Sequence, residues 1–138
     1  MFEQCLYFNT TSLSRKLDKV WTAAFKPFGL TPSQAFMLRV ILEKPESLQN
    51  QLAEEMNITK ATASRVLDGL GKLGLIERQQ SGNDGREIQI LPTRKAKAMR
   101  DDLNAASGEV TKRFKKSLGV SEFDDVVSKL RGIGASLK

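Results

Sequence analysis

The chain has no histidine, one cysteine, one tryptophan and one tyrosine in its 138 residues. Each scarcity excludes something. Without histidine there is no Ser-His-Asp relay, and most zinc sites lose a usual ligand. The single cysteine, Cys5, has no partner for an internal disulfide, so nothing signals an oxidising compartment. No apolar run is long enough to span a bilayer. The start, Met1-Phe2-Glu3-Gln4-Cys5, lacks the basic and apolar stretches of a secretory signal. A cytoplasmic location without a membrane partner is therefore expected. The glycines sit at turns and helix ends, where they form no phosphate cradle. Glu54-Glu55, Asp101-Asp102 and Asp124-Asp125 are adjacent on expected helices, so each pair points apart. No enzymatic activity, cofactor or metal is expected.

What is present is a modest basic excess. Lys and Arg number 22 against 16 Asp and Glu, for a net charge of +6. That mildly favours a nucleic-acid partner. The excess is spread unevenly: six basic and four acidic residues over 1–46, seven and six over 47–95, nine and six over 96–138. The local run Lys112-Arg113-Phe114-Lys115-Lys116 reads as a solvated helix face. The length suits one domain.

The middle of the chain is the most informative. Ser47 is placed to cap a helix over Leu48–Met56, with Leu48, Leu52 and Met56 on one face. Asn57 stands where the chain must turn, and Asn tolerates left-handed φ. Ile58 plugs the corner, and Thr59 caps a second helix over about Lys60–Leu73. At roughly 100° per residue, Ala63, Val66, Leu67 and Leu70 share a face, while Ala61, Arg65 and Asp68 point away. Thr62 and Ser64 flank them. A small, polar front with one long cation suits a major groove, where Arg grips guanine and Thr or Ser bond bases or phosphates. Gly74 is free to end the helix in a left-handed conformation.

Two short strands follow, Leu75–Gln80 and Glu87–Leu91. Ile88 and Ile90 alternate with Glu87 and Gln89, the period of a half-buried strand. The loop Ser81-Gly82-Asn83-Asp84-Gly85-Arg86 is rich in turn formers. A hairpin directly after such a helix is a wing. Arg86 is placed for a minor groove, with Asp84 available to pair with it. The fold expected is mainly α, a winged helix-turn-helix. Its DNA-contacting set is Thr59, Lys60, Ala61, Thr62, Ser64, Arg65, Asn83, Asp84 and Arg86.

These residues resemble the MarR family of bacterial transcriptional regulators. Gly29-Leu30-Thr31-Pro32-Ser33-Gln34 is similar to the start of that family's second helix, and Thr62-Ala63-Ser64-Arg65-Val66-Leu67-Asp68 to its recognition helix. Leu73-Gly74-Leu75-Ile76-Glu77-Arg78 resembles the helix exit and first wing strand, and Asp84-Gly85-Arg86 the wing tip. Leu91 and Thr93 resemble the Leu-Thr that opens the next helix. Pro92 is inserted there, Ala96 replaces a usual Gly, and Asn57 replaces the usual turn Gly. Nearly the whole chain fits in length and helix order.

The flanking segments are apolar beyond the needs of a wing lobe. A first helix to about Phe28 carries Leu6, Leu13, Leu17, Val20, Trp21, Ala24 and Phe28 on a stripe closed by Gly29. Pro32–Leu42 is apolar nearly all round and reads as the buried centre. Thr93 caps a long helix with Ala96, Met99, Leu103, Ala106, Val110 and Phe114. Ser121 and Asp124 suggest a capping box opening a last helix with Phe123, Val126, Val127, Leu130, Ile133 and Leu137. Gly132 and Gly134 should fray its end. Residues 1–30 and 96–138 are read as dimerisation helices around a 31–95 DNA lobe. A homodimer presents two readers to a palindromic operator, and the resemblance implies the same.

The function expected is a homodimeric, sequence-specific repressor released from double-stranded DNA by a small molecule. The resemblance implies a small aromatic ligand where dimer helices meet DNA lobe, and Trp21, Phe25 and the Thr31–Leu42 helix are available to line such a site. They also read as core. Some relatives sense oxidants through one N-terminal cysteine, and Cys5 lies in a similar place. The tyrosine those sensors carry four residues later is here Asn9, and a buried, inert Cys5 is the simpler reading. The remaining alternative is a winged-helix protein-interaction module that does not bind DNA.

Overall fold

A computed structural model describes residues 1–82 and 87–137. Its elements, in order, are α1 (Leu6–Phe25), a 3-10 turn (Lys26–Phe28), α2 (Pro32–Glu43), β1 (Ser47–Leu48), α3 (Gln49–Glu55), α4 (Lys60–Lys72), β2 (Ile76–Ser81), β3 (Glu87–Pro92), α5 (Arg94–Leu118) and α6 (Val120–Ser136). It is a mainly α winged helix-turn-helix.

The punctuation follows local chemistry. Pro27 lacks the N–H that would extend α1, so the chain tightens to a 3-10 turn and reverses at Gly29 (φ 69°). Thr31 Oγ1 accepts from the Gln34 N–H at 3.2 Å, and Gln34 Oε1 accepts from the Thr31 N–H at 3.0 Å. Pro32 then opens α2 at a position where its missing donor costs nothing. Asn57 takes the left-handed turn (φ 55°), and Gly74 ends the α4 corner (φ 73°).

Helix α2 is the centre. Ala35, Met37, Leu38, Ile41 and Leu42 are buried against Phe25, Leu52, Leu67, Leu70, Ile90 and Leu103, which come from every layer around it. Helix α4 crosses it closely: a Cβ at Gly69 would lie 2.7 Å from Gln34 Nε2. The sheet has the order β1-β3-β2 and is antiparallel throughout. Arg78 faces Ile90 in the register, and Ile76 faces Pro92.

Two expected helix boundaries are corrected. Ser47 does not cap α3. It sits in β1 opposite Ile90, and its hydroxyl donates to the Lys44 carbonyl at 2.6 Å. Helix α3 begins one residue later than expected, with Gln51 Oε1 accepting from the Leu48 N–H at 2.9 Å. Ser121 and Asp124 form no capping box. Gly119 (φ 92°) turns the chain at once, so α6 starts at Val120 and Ser121 is already inside it. Gly132 and Gly134 lie within α6, which runs to Ser136. Glycine weakens a helix by about 1 kcal/mol relative to Ala without terminating it.

The terminal helices are thinly covered. No residue of α6 is buried, and only Phe123 is half-buried. Val126, Val127, Leu130 and Ile133 remain exposed, as do Leu6 and Leu13 of the α1 stripe.

Candidate nucleic-acid interface

Helix α4 has two chemically distinct sides. Ala63, Leu67 and Leu70 are fully buried, and Val66 is half-buried. Lys60, Ala61, Arg65 and Asp68 are exposed, with Thr62 and Ser64 half-buried between the two sides. The sequence-expected face is therefore the face the fold leaves outward. Thr59 accepts from the Thr62 N–H at 3.1 Å and so caps the helix as expected. Its hydroxyl donates to Thr62 Oγ1 at 2.9 Å, and Arg65 Nη2 donates to the same oxygen at 3.1 Å. The front of the helix is thus hydrogen-bonded to itself.

The hairpin is fastened to this helix by a residue absent from the expected site. Arg78 Nη1 of β2 donates to Asp68 Oδ1 at 2.6 Å, and its Nη2 donates to the Ser64 carbonyl at 3.2 Å. The available signal was an acid on the outer face of α4 and a cation on the returning strand, either side of the Gly74 turn. Behind them Thr93 closes the base of the wing. It caps α5 by accepting from the Ala96 N–H at 3.3 Å and donates to the Gly74 carbonyl at 2.8 Å. Lys95 Nζ adds a bond to the Leu73 carbonyl at 3.1 Å. Asn83, Asp84 and Arg86 lie outside the described residues, and so does the expected Asp84–Arg86 pair.

A second polar cluster joins α1, α2 and α5. Ser107 is buried, and its Oγ accepts from Trp21 Nε1 at 3.3 Å and from Arg39 Nη1 at 3.0 Å. Arg39 Nε also donates to Asn104 Oδ1 at 2.7 Å, and the guanidinium lies 5.2 Å from the Phe36 ring centre. Burial pushes the Arg39 guanidinium below its ordinary pKa, since desolvation penalises the charged form. Trp21 stacks on Phe114 at 5.8 Å. Phe25, expected as a possible ligand contact, is fully enclosed in the core. Trp21 and Phe36 instead face an open groove with Ser14, Leu17 and Asp18.

Cys5 is exposed in the single chain, where it was expected buried. It caps α1, with the Phe8 N–H donating to its Sγ at 3.5 Å. Asn9, in the place of the tyrosine, spends its amide on the Glu3 and Cys5 carbonyls at 2.9 and 2.8 Å. Among the described residues no cluster of Cys, Asp and Glu is placed to hold a metal ion, and no helix is long and apolar enough to cross a membrane.

Comparison with known proteins follows the same segments. Residues 28–87 match a model of the MarR family. An HTH-type transcriptional repressor, YetL of Bacillus subtilis, is 30% identical over 95 residues, covering 67% of this chain and 57% of that protein. The uncharacterized HTH-type regulator YybA, also of B. subtilis, is 31% identical over 85 residues, covering 62% and 57%. The chain thus spans a little over half the length of these relatives. The regulator MosR of Mycobacterium tuberculosis, solved in complex with DNA, superposes with a TM-score of 0.85 at 25% identity, over 96% of each chain.

Proposed function

From the premise that the chain belongs to the MarR family, we propose that it is a DNA-binding transcriptional regulator: a homodimeric repressor released from a palindromic operator by a small ligand. The observation that carries this reading is the outward face of α4. It is small and polar, it bears Arg65 within its first two turns, and its opposite side is locked into the core. Such a helix fits a major groove and places its N-terminal side chains at base edges. Thr59, Lys60, Ala61, Thr62, Ser64 and Arg65 make the helix contacts. Asn83, Asp84 and Arg86, assigned from sequence, make the wing contacts. The DNA-bound relative MosR and the repressor YetL support the partner and the sign of regulation.

Dimerisation rests on α1, α5 and α6. The exposed side chains of Leu6, Leu13, Val126, Val127, Leu130 and Ile133 form apolar surface that one copy leaves in water. A second copy removes it, which is favourable at about 25 cal/mol per Å² of apolar area. Residues 1–30 and 96–138 are the dimer unit and 31–95 the DNA lobe. The groove at Trp21 and Phe36, where α1 meets α2, is the ligand's place in this scheme. No cofactor or membrane enters it.

The test is Arg65→Ala in a fluorescence-anisotropy titration with a bound promoter fragment. Specific affinity should fall by about 1–3 kcal/mol. Equal binding by mutant and wild type would remove Arg65 from the reader. A titration with no salt dependence would remove phosphate contacts altogether and favour a protein-interaction module.

A further inference from the structure

The hydrogen bonds at the front of α4 tie Arg65 back to its own helix. Thr59 Oγ1 accepts from the Thr62 N–H and is hydrogen-bonded to Thr62 Oγ1; Thr62 Oγ1 also accepts from Arg65 Nη2. A threonine hydroxyl offers two acceptor positions and one hydrogen. The Thr62 oxygen accepts from Arg65 and shares a hydrogen bond with the Thr59 hydroxyl, whose hydrogen either group can supply. Arg65 carries donors only. We propose that Thr62 is a specificity-positioning residue: it holds the Arg65 guanidinium, an all-donor group, in the place from which it selects guanine. This rests on the DNA-binding reading of α4.

The choice of base follows from edge chemistry. In the major groove guanine shows two adjacent acceptors, N7 and O6. Adenine pairs an acceptor with a donor, cytosine shows a donor, and thymine one acceptor beside a methyl group. Of these only guanine accepts twice from a guanidinium fork. Holding the fork before binding leaves less side-chain freedom to lose at the interface.

Capping alone does not explain the arrangement. The cap bond runs from the Thr62 N–H to Thr59 Oγ1 and needs nothing from the Thr62 side chain. Thr62→Val therefore keeps the cap and the β-branched shape, and removes the link to Arg65 together with the hydroxyl bond to Thr59. Thr62→Ser keeps the hydroxyl.

The experiment is selection of bound sites from random duplex DNA by the full chain, its Thr62→Val, Thr62→Ser and Arg65→Ala variants, with thermal melts of all four. The wild type should enrich a half-site with a guanine that Arg65→Ala loses. Thr62→Val should reduce preference for that guanine by about three- to tenfold, while Thr62→Ser retains it, all at unchanged melting temperature. A wild-type site whose guanine stays equally preferred with Thr62→Val overturns the positioning role. A site in which the base sensitive to Arg65→Ala is not guanine overturns the selection of guanine. A loss of preference that tracks a lowered melting temperature assigns Thr62 a structural role and also overturns the proposal. Failure of the wild type to enrich any site refutes DNA binding itself, and this inference falls with it.

Discussion

Arg78 of the first wing strand donates to Asp68 of the preceding helix at 2.6 Å, and the same guanidinium reaches the Ser64 carbonyl one turn earlier at 3.2 Å. One side chain thus holds hairpin and helix together at two successive turns. If the helix reads one groove and the wing the next, this clamp sets the angle between them.

Removing the clamp should separate stability from binding. Arg78 and Asp68 side chains are 32% and 53% exposed, so the pair contributes at most about 1 kcal/mol to folding. Arg78→Met keeps the apolar stem and loses both bonds. We expect a small drop in melting temperature and roughly tenfold weaker DNA binding, equivalent to about 1.4 kcal/mol. Asp68→Asn, which keeps an acceptor oxygen, should be milder. Wild-type affinity in Arg78→Met would deny the clamp any role in recognition.

Ser107→Ala should act in the opposite way, on stability first. Ser107 is 5% exposed and receives two donors, from Trp21 and Arg39. Alanine strands both at the junction of α1, α2 and α5. The expected cost is about 1–3 kcal/mol, read by urea denaturation at fixed protein concentration, because the stability of the proposed dimer would depend on concentration. An unchanged midpoint would mean that water or another group replaces the hydroxyl without loss.

Much of α4 and the wing was legible because their residues signal locally. Thr59, the Ala63-Leu67-Leu70 face and Gly74 bound α4 by capping and periodicity, and Ile88 and Ile90 mark β3 by alternation. What escaped was non-local. Two-residue β1 carries no period, so Ser47 read as a cap until pairing with Ile90 claimed it. Ser121 lost its capping role to the turn made by Gly119 just before it. Arg78 and Asp68 are ten residues apart on different elements, and no pattern within either element joins them. The exposure of Cys5 likewise depends on where α1 lies, which its sequence neighbours do not determine.

The apolar face of α6 gives a prediction about assembly. Leu130 and Ile133 are 46% and 40% exposed in one copy. Leu130→Glu with Ile133→Glu should leave helical content intact while sedimentation shifts from dimer to monomer. DNA affinity should fall steeply, since one copy presents one recognition helix. A double mutant that still sediments as a dimer would place the interface elsewhere.

Cys5 makes an independent test of the signal. Its Sγ accepts only a backbone N–H among the described residues, and Asn9 stands where a sensor's tyrosine would be. Organic hydroperoxide should therefore leave operator binding unchanged even at full cysteine oxidation, and Cys5→Ser should bind as wild type. Release by hydroperoxide that Cys5→Ser abolishes would make the chain an oxidant sensor.

Sedimentation of the full chain with the DNA it selects from a random pool decides between a dimer reading DNA through α4 and any other assembly. Two chains should bind each duplex, on inverted half-sites with centres about 10 base pairs, or a multiple of one helical turn, apart. Arg65→Ala should reduce occupancy of both half-sites together. A single chain on an unpaired half-site, or no selected sequence at all, would refute a dimeric reader.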